Sequence, residues 1–465
     1  MGQFDTSGDV ESLPKLFGSS GVRGLVNVDL TPVLAAQIGM AIAAFSKANK
    51  VLVARDTRSS GAMLANALVS GLLSGGANVK DMGILPTPVL AFLTRRMDAG
   101  AGVMITASHN PPQYNGIKIF HRDSMAYSEQ NQNAIEKIIQ DKRFNLTGWR
   151  DIGDTQSTDQ SGLYVEMIHN TVKLRKKRHL IVDSGCGATF SLAPTVLASL
   201  GCKVTALNSQ PDGFFPARSP EPNEESLAPF ARTVVELGAD LGVAYDGDGD
   251  RVAFIDEKGN LADFDRALAA YAAHVTKEKN GGIVVTNVEA SMCVEKMVEL
   301  HGGRVLRTKV GDIYLAEAIK KQNAIFGGEP CGAWIHPQFH YCPDGILSSA
   351  LLLKALDEED KKLTELISET PKYETVRKNI TCNNEAKYRV VKKIGEDFRQ
   401  AFPGNTELSR VDGVRLSLED GWILIRASGT EPVIRLTVEG ESLRTAKKIM
   451  EKGVMLVEQS AGKVK

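Results

Sequence analysis

Leu241-Gly242-Val243-Ala244-Tyr245-Asp246-Gly247-Asp248-Gly249-Asp250-Arg251-Val252-Ala253-Phe254-Ile255-Asp256 sets the structural pattern of the whole chain. Two apolar runs of strand length, 241–245 and 252–256, flank a loop in which three carboxylates alternate with glycine. Runs so short and continuously apolar suit strands of a buried sheet. The same grammar recurs on either side. Residues 51–54 and 180–183 read as strands, the first followed by a helix at 63–73 and the second by a glycine turn and a helix at 192–200. Further strands are expected at 103–106, 203–207, 283–286 and 304–307, with helices at 32–47, 293–300 and 313–320. Strands alternating with helices are the mark of α/β domains. A strand–glycine turn–helix unit begins near 51, 180 and 283, although its copies share little sequence. After residue 372 the character changes to polar stretches, strands at 423–426 and 433–439, and a final helix at 443–459.

At roughly 100–200 residues per domain, a chain of 465 residues holds about three or four domains. The expected division is a flexible tail at 1–14, α/β domains at 15–150, 151–257 and 258–370, and a smaller α+β domain at 371–465. Lys and Arg number 55 against 56 Asp and Glu, a formal charge of −1, which argues against a duplex nucleic-acid partner. The longest nearly apolar stretch, 33–45, is too short for the roughly 20 residues a bilayer demands. No secretory signal is expected at the N-terminus. Gly2 and Thr6 do match a myristoylation pattern, but no polybasic stretch follows. The six cysteines include no C-x-x-C pair and read as reduced cytosolic thiols, so a cytoplasmic location is expected.

Three like charges as close as Asp246, Asp248 and Asp250 repel one another unless a cation neutralises them. Hard carboxylate oxygens suit Mg²⁺ or Ca²⁺. An EF-hand places Glu257 at position 12, but position 6 is Arg251 instead of glycine and the flanks are strands. A solvated acidic turn is the plainer alternative. Thr106-Ala107-Ser108-His109-Asn110-Pro111-Pro112, followed by Gln113-Tyr114-Asn115-Gly116-Ile117-Lys118, sets a serine at the carboxyl end of a buried strand, where α/β sheets gather ligands. Ser108 would need a base or a metal to act as a nucleophile, and an ordinary Asn-Pro turn is its alternative. Arg426-Ala427-Ser428-Gly429-Thr430-Glu431-Pro432, with Arg435 beyond, has the donors to cradle a phosphate. Gly18-Ser19-Ser20-Gly21-Val22-Arg23-Gly24 and Gly327-Gly328-Glu329-Pro330-Cys331-Gly332 are weaker signals of the same kind. Cys331, His336, His340 and Cys342 have a spacing that zinc could use, without the usual knuckle pairs.

Taken together and in this order, these segments resemble the α-D-phosphohexomutase family over the whole chain after residue 15. The TASHNPPQYNGIK and DGDGDR segments carry the resemblance. It implies three similar α/β domains with mixed sheets and a smaller fourth domain around a central cleft. It implies Ser108 as a phosphoserine, and Asp246, Asp248 and Asp250 holding one Mg²⁺ with the Ser108 phosphate. Arg251, His109 and Lys118 would stand beside the transferred group. Glu329 would hold sugar hydroxyls, with Cys331 on the same loop. Lys309, Gly311 and Asp312 resemble the family's loop that faces the sugar and would do the same here. Arg426, Ser428, Gly429, Thr430 and Arg435 would take the non-reacting phosphate, and Arg23 would line the cleft.

The activity so implied is isomerisation of a hexose or hexosamine phosphate through a sugar 1,6-bisphosphate, which also serves as activator. The partner is then a small sugar phosphate, with no nucleic acid or membrane, and the protein a monomer or homodimer. The loops at 18–24 and 429–432 look most like members acting on glucosamine phosphate. Arg426-Ala427 leans towards members acting on mannose or glucose phosphates. A serine-dependent metal phosphatase and a non-catalytic sugar-phosphate binder are the remote alternatives. One loop departs from the pattern. Where many members have Gly-Glu-x-Ser-Gly-His, this chain has Cys331 and Ala333, so either His336 reaches the cleft or another group handles the proton.

Overall fold

The computed structural model describes residues 16–18, 21–402, 407–429 and 431–463. The expected tail at 1–14, Ser19, Ser20 and Thr430 lie outside the described residues. Three successive sheets repeat one strand order. In each, a first strand pairs in parallel with a second strand on one side and a third on the other, and a fourth strand runs antiparallel beside the third. These four strands are Lys50–Arg55, Asn78–Ile84, Ala101–Ile105 and Tyr114–His121 in the first sheet. They are His179–Asp183, Lys203–Leu207, Leu241–Tyr245 and Val252–Ile255 in the second. In the third they are Gly282–Asn287, Gly303–Thr308, Phe326–Glu329 and Ala333–Ile335. The repeat suspected near 51, 180 and 283 is therefore one of topology.

The first sheet is larger. Phe17–Gly18 and Gly21–Leu25 extend one edge, and Thr155–Ser157, from beyond residue 150, extends the other to make seven strands. The last sheet has five strands, all antiparallel, covered by helices Lys387–Ala401 and Leu443–Lys463.

Burial explains the patterns. All of Leu241–Tyr245 is buried, as its unbroken apolarity requires. Tyr114–His121, which carries Lys118 away from the serine loop, is a strand with 115–120 all buried. One continuous apolar core, including Leu52, Phe92, Tyr164, Leu241, Val284 and Leu347, runs through the first three sheets and their helices. The C-terminal sheet has its own core. A small cluster of Val288, Trp422 and Leu424 joins it to the third. Among the described residues, no helix is long and apolar enough to cross a membrane.

Candidate active site

The loops that connect third to fourth strands sit at equivalent places in the three repeats. They carry, in turn, Ser108, the Asp246–Asp250 triad, and Pro330–Gly332 after Glu329 at the end of its strand. Ligands in α/β sheets gather outside the carboxyl ends of strands, and here three such ends converge. A cavity of about 340 Å³ is lined by Arg23, Ser108, His109, Asp250, Arg251 and Glu329, with Gly311, Asp312 and Cys331 on its third-sheet wall.

Ser108 is buried and holds φ at 53°, a left-handed conformation costly for a residue with a side chain. Its N–H donates to Thr106 Oγ1 at 2.9 Å and its carbonyl accepts from Arg58 Nη2 at 2.9 Å. Its hydroxyl donates to Asp246 Oδ2 at 2.7 Å and lies 3.2 Å from His109 Nδ1. Asp246 Oδ1 accepts the backbone N–H groups of Gly249 and Arg251 at 3.0 and 3.1 Å. Lys118 Nζ spans Asp248 and Asp250 at 2.8 and 2.7 Å. Thr87, at the start of helix Thr87–Arg96, donates to Asp248 Oδ2 at 2.5 Å.

Charge follows from this packing. Burial, then the Asp250 and Asp248 carboxylates, push Asp246 well above the ordinary carboxylate range. Burial acts the same way on Asp248, but Lys118 and the hydrogen bonds to it prevail and hold Asp248 below that range. Burial would discharge Lys118, yet Asp248 and Asp250 outweigh it and keep the ammonium charged. Burial, then Arg251 and Arg23, drive His109 down to about 3, so its ring is neutral at physiological pH. Arg251 stays charged, since Cys331, Asp250 and Asp246 outweigh its burial. Burial raises Glu329. Its Oε1 is fixed by Asn287 Nδ2 and the Gly311 N–H, both at 2.8 Å.

The triad suits a cation. Ligand atoms of Asp246, Asp248 and Asp250 lie within 4.8 Å of one another, the one such convergence of three or more potential metal ligands among the described residues. Asp248 Oδ1 and Asp250 Oδ1 are buried without a hydrogen-bond partner. Orphaned carboxylate oxygens are expensive to bury, and three hard oxygen donors fit Mg²⁺. The zinc alternative fails. His336 bonds Ser348 Oγ at 2.9 Å and His340 bonds Asp344 Oδ2 at 2.9 Å, both buried in the core. His336 therefore does not reach the cavity as a substitute base.

Other expected site residues lie apart from this cavity. Lys309 is exposed, its ammonium 5.2 Å above the Tyr314 ring. Arg435 is paired with Glu431 at 2.6 Å. Ser428 Oγ accepts the Glu431 N–H at 3.1 Å, which shapes the loop around Gly429. Arg426 reaches the cavity rim, where it pairs with Glu289, a lining residue, and with Asp412 at 2.9 Å. Asp56, Arg58 and Thr87 were not foreseen. A signal existed only in part: Asp56 lies two residues past a strand expected at 51–54.

Comparison with known proteins decides the family. Descriptions of phosphoglucomutase/phosphomannomutase alpha/beta/alpha domains I, II and III match residues 14–146, 163–259 and 263–373, and that of the C-terminal domain matches 378–454. The chain belongs to the phosphoglucomutase/phosphomannomutase family. Members of this family are phosphohexomutases, and the chain is accordingly a phosphosugar mutase, an isomerase. A "Probable phosphoglucosamine mutase" of Methanothermobacter thermautotrophicus is 42% identical over 444 residues, covering 95% of this chain and 97% of that protein. Its namesake in Methanococcoides burtonii is 44% identical over 427 residues, 91% of this chain and 95% of the relative. The crystal structure of a phosphoglucomutase/phosphomannomutase family protein from Burkholderia thailandensis superposes with a TM-score of 0.88 at 28% identity, over 96% of this chain and 97% of that one.

Proposed function

We propose that this mutase interconverts glucosamine 6-phosphate and glucosamine 1-phosphate, with Ser108 as the phosphoryl carrier. The observation that carries the reading is the hydroxyl of Ser108, 2.7 Å from Asp246, in a cavity shared by Arg23, Arg251 and Glu329. The names of the relatives support glucosamine as the sugar. Mannose or glucose phosphate, taken through the same chemistry, is the alternative that Arg426-Ala427 favours.

Phosphoryl transfer calls for placement and charge neutralisation more than covalent assistance. Asp246, Asp248 and Asp250 would hold one Mg²⁺, which when bound neutralises negative charge on the Ser108 phosphate. Lys118 and Arg251 add fixed positive charge nearby. The free hydroxyl of the sugar monophosphate attacks the phosphorus on Ser108. The new O–P bond forms as the Ser108 Oγ–P bond breaks, giving the 1,6-bisphosphate. The hydroxyl gives up its proton as its O–P bond forms and Ser108 Oγ gains one as its own bond breaks; His109, 3.2 Å from Oγ, is the ring beside that departing oxygen. The bisphosphate turns over, and its other phosphoryl group returns to Ser108 by the reverse step. Glu329 accepts hydrogen bonds from ring hydroxyls in either orientation. Arg426, with Ser428, Gly429 and Thr430 on the loop that follows it, binds the phosphate not in transfer. Gly311, Asp312 and Cys331, on the cavity wall, edge the sugar site. Water kept out of the closed cleft spares the phosphoserine from hydrolysis. Reduced cysteines, none in a disulfide, support a cytoplasmic location.

Initial rates with glucosamine, glucose and mannose 6-phosphates, each with its 1,6-bisphosphate, test the sugar. Glucosamine phosphate is expected to turn over fastest. A rate below the others by more than about tenfold, a difference of about 1.4 kcal/mol, overturns the choice. Phosphate release without isomer formation overturns the mutase chemistry in favour of a phosphatase.

A further inference from the structure

The three repeats share one device besides their strand order. At the last position of the first strand, or one residue beyond it in the first repeat, each has an Asx residue whose Oδ1 accepts the backbone N–H two residues on. The pairs are Asp56 with Arg58 at 2.9 Å, Asp183 with Gly185 at 2.7 Å, and Asn287 with Glu289 at 2.9 Å. The rest of each Asx side chain is tied to the loop carrying that repeat's reactive group.

In the third repeat the tie is direct, from Asn287 Nδ2 to Glu329 Oε1 at 2.8 Å. In the first two an arginine makes it. Asp56 Oδ2 binds Arg58 Nε at 3.0 Å, and neither side chain is exposed. The Arg58 fork then donates to the carbonyls of Ser108, Asn110, Pro111 and Tyr114 at 2.6–2.9 Å. Asp56 Oδ2 also accepts from Thr106 Oγ1 at 2.6 Å, and that hydroxyl oxygen in turn accepts the Ser108 N–H. Both backbone groups of Ser108, at φ 53°, are thus anchored on the Asp56–Arg58 pair. In the second repeat Asp183 Oδ2 binds Arg218 Nε at 2.9 Å, again fully buried. Arg218 Nη2 donates to the carbonyl of Tyr245, the residue before Asp246, at 2.7 Å. A Cβ on Gly185 would stand 2.7 Å from the Arg218 guanidinium, so the loop leaves room for that group.

Buried ion pairs repay their desolvation poorly, and well-packed apolar residues often replace them at no loss of stability. A planar guanidinium that bridges several fixed carbonyls supplies geometry instead. The geometry points to Asp56–Arg58 and Asp183–Arg218 as paired positioning devices. One sets the nucleophile loop and the other the metal loop, and each acts on its own half of the site.

This inference rests on the reading of Ser108 as phosphoryl carrier and the aspartates as metal ligands, and its two readouts keep the failures apart. Arg58→Met, Arg218→Met and the corresponding lysine variants are compared with the unaltered chain. Mn²⁺ affinity is measured by titration calorimetry. Ser108 phosphorylation by glucose 1,6-bisphosphate at saturating Mn²⁺ is followed by intact mass. Arg218→Met should weaken Mn²⁺ by at least about tenfold, the usual scale for losing a residue that orients metal ligands, and leave the phosphorylation rate within about threefold. Arg58→Met should slow phosphorylation by about a hundredfold and leave Mn²⁺ affinity within about threefold. The lysine variants keep the charge without the fork. They should show most of each deficit with melting temperatures close to the parent's, and they decide the matter if the methionine variants do not fold. Equal losses of both properties in both variants, or parental behaviour in the lysine variants, would overturn the inference. If the unaltered chain takes no phosphate on Ser108, the proposed function falls, and Mn²⁺ affinity in the Arg218 variants still decides the metal-loop half.

Discussion

Ser108 Oγ and Asp246 Oδ2 meet at 2.7 Å although 138 residues separate them. They are counterparts, each on the loop between third and fourth strands of its own repeat. The proposed phosphoryl carrier and a proposed metal ligand meet because two repeats of one topology present the same loop to one cavity. The Gly247 position shows how tightly: a Cβ there would stand 2.5 Å from the Ser108 carbonyl oxygen.

Ser108→Ala removes the atom that carries phosphate and leaves Arg426, Glu329 and Arg23 in place. Mutase turnover is expected to fall by at least about a thousandfold, as for loss of a covalent nucleophile. Calorimetric binding of the sugar monophosphate should stay within about threefold of the parent. Turnover at the parental rate excludes the phosphoserine route.

Gly247→Ala should damage the site through contact alone. The added methyl meets backbone, which cannot rotate away, and overpacking of this kind costs about 1–3 kcal/mol. Expected are a lower melting temperature and a drop in kcat greater than in KM. Gly148→Ala is the control, since nothing lies within 4 Å of its Cβ position and its side is exposed. A Gly247→Ala enzyme with parental kinetics would show that the two loops part readily.

His336 makes stability depend on pH. Burial, then His340, lowers its pKa from the ordinary 6.5 to about 3. Between those values the unfolded chain binds a proton that the folded chain refuses. The stability contribution is therefore complete above pH 6.5 and declines as the pH falls towards 3. One proton corresponds to about 1.4 kcal/mol per pH unit. In urea titrations at pH 6, 5 and 4, His336→Gln should lose stability less steeply than the parent by about that amount per unit. Parallel slopes would mean that His336 is charged inside the fold.

The residues legible from sequence are those whose chemistry is odd where it stands. Carboxylates at every second position after an apolar strand call for a cation, and Ser108 with two prolines behind it marks a stiff loop at a strand end. The sheets were legible because buried strands are continuously apolar. The strand that carries Lys118 is not legible, because a charged residue in a fully buried strand contradicts that rule until Asp248 and Asp250 are brought beside it. Arg58 and Arg218 carry little local signal. Apart from Asp56, two residues from Arg58, and Ser219, next to Arg218, their partners lie 50–56 and 27–35 residues away, and only the folded chain brings those groups within reach. The topological repeat was faint for the same reason: the copies share strand order, not residues. Lys309 and Arg435 show the converse, since a matching motif position does not decide where a long side chain rests.

With Arg426 as the proposed phosphate site, Glu289 is the carboxylate against which substrate phosphate would compete. It lines the cavity from the third repeat and pairs with Arg426, which Asp412 holds from the other side at 2.9 Å. Asp412 also accepts the Val310 N–H at 3.3 Å, so the same pair of acids joins the C-terminal domain to the third. A phosphate arriving on Arg426 replaces a carboxylate already there, and the apparent affinity is reduced by the strength of the pair it breaks. Partly exposed ion pairs contribute up to about 1 kcal/mol, so Glu289→Gln should lower KM for the sugar phosphate by about two- to fivefold. Inhibition by inorganic phosphate should tighten by a similar factor. The difference from the parent should shrink in 0.5 M salt as the ion pair is screened to about 4 Å. Asp412→Asn should free the guanidinium less cleanly, because it also removes the acceptor for Val310. A rise in KM for Glu289→Gln would instead assign the carboxylate to the sugar hydroxyls, alongside Glu329.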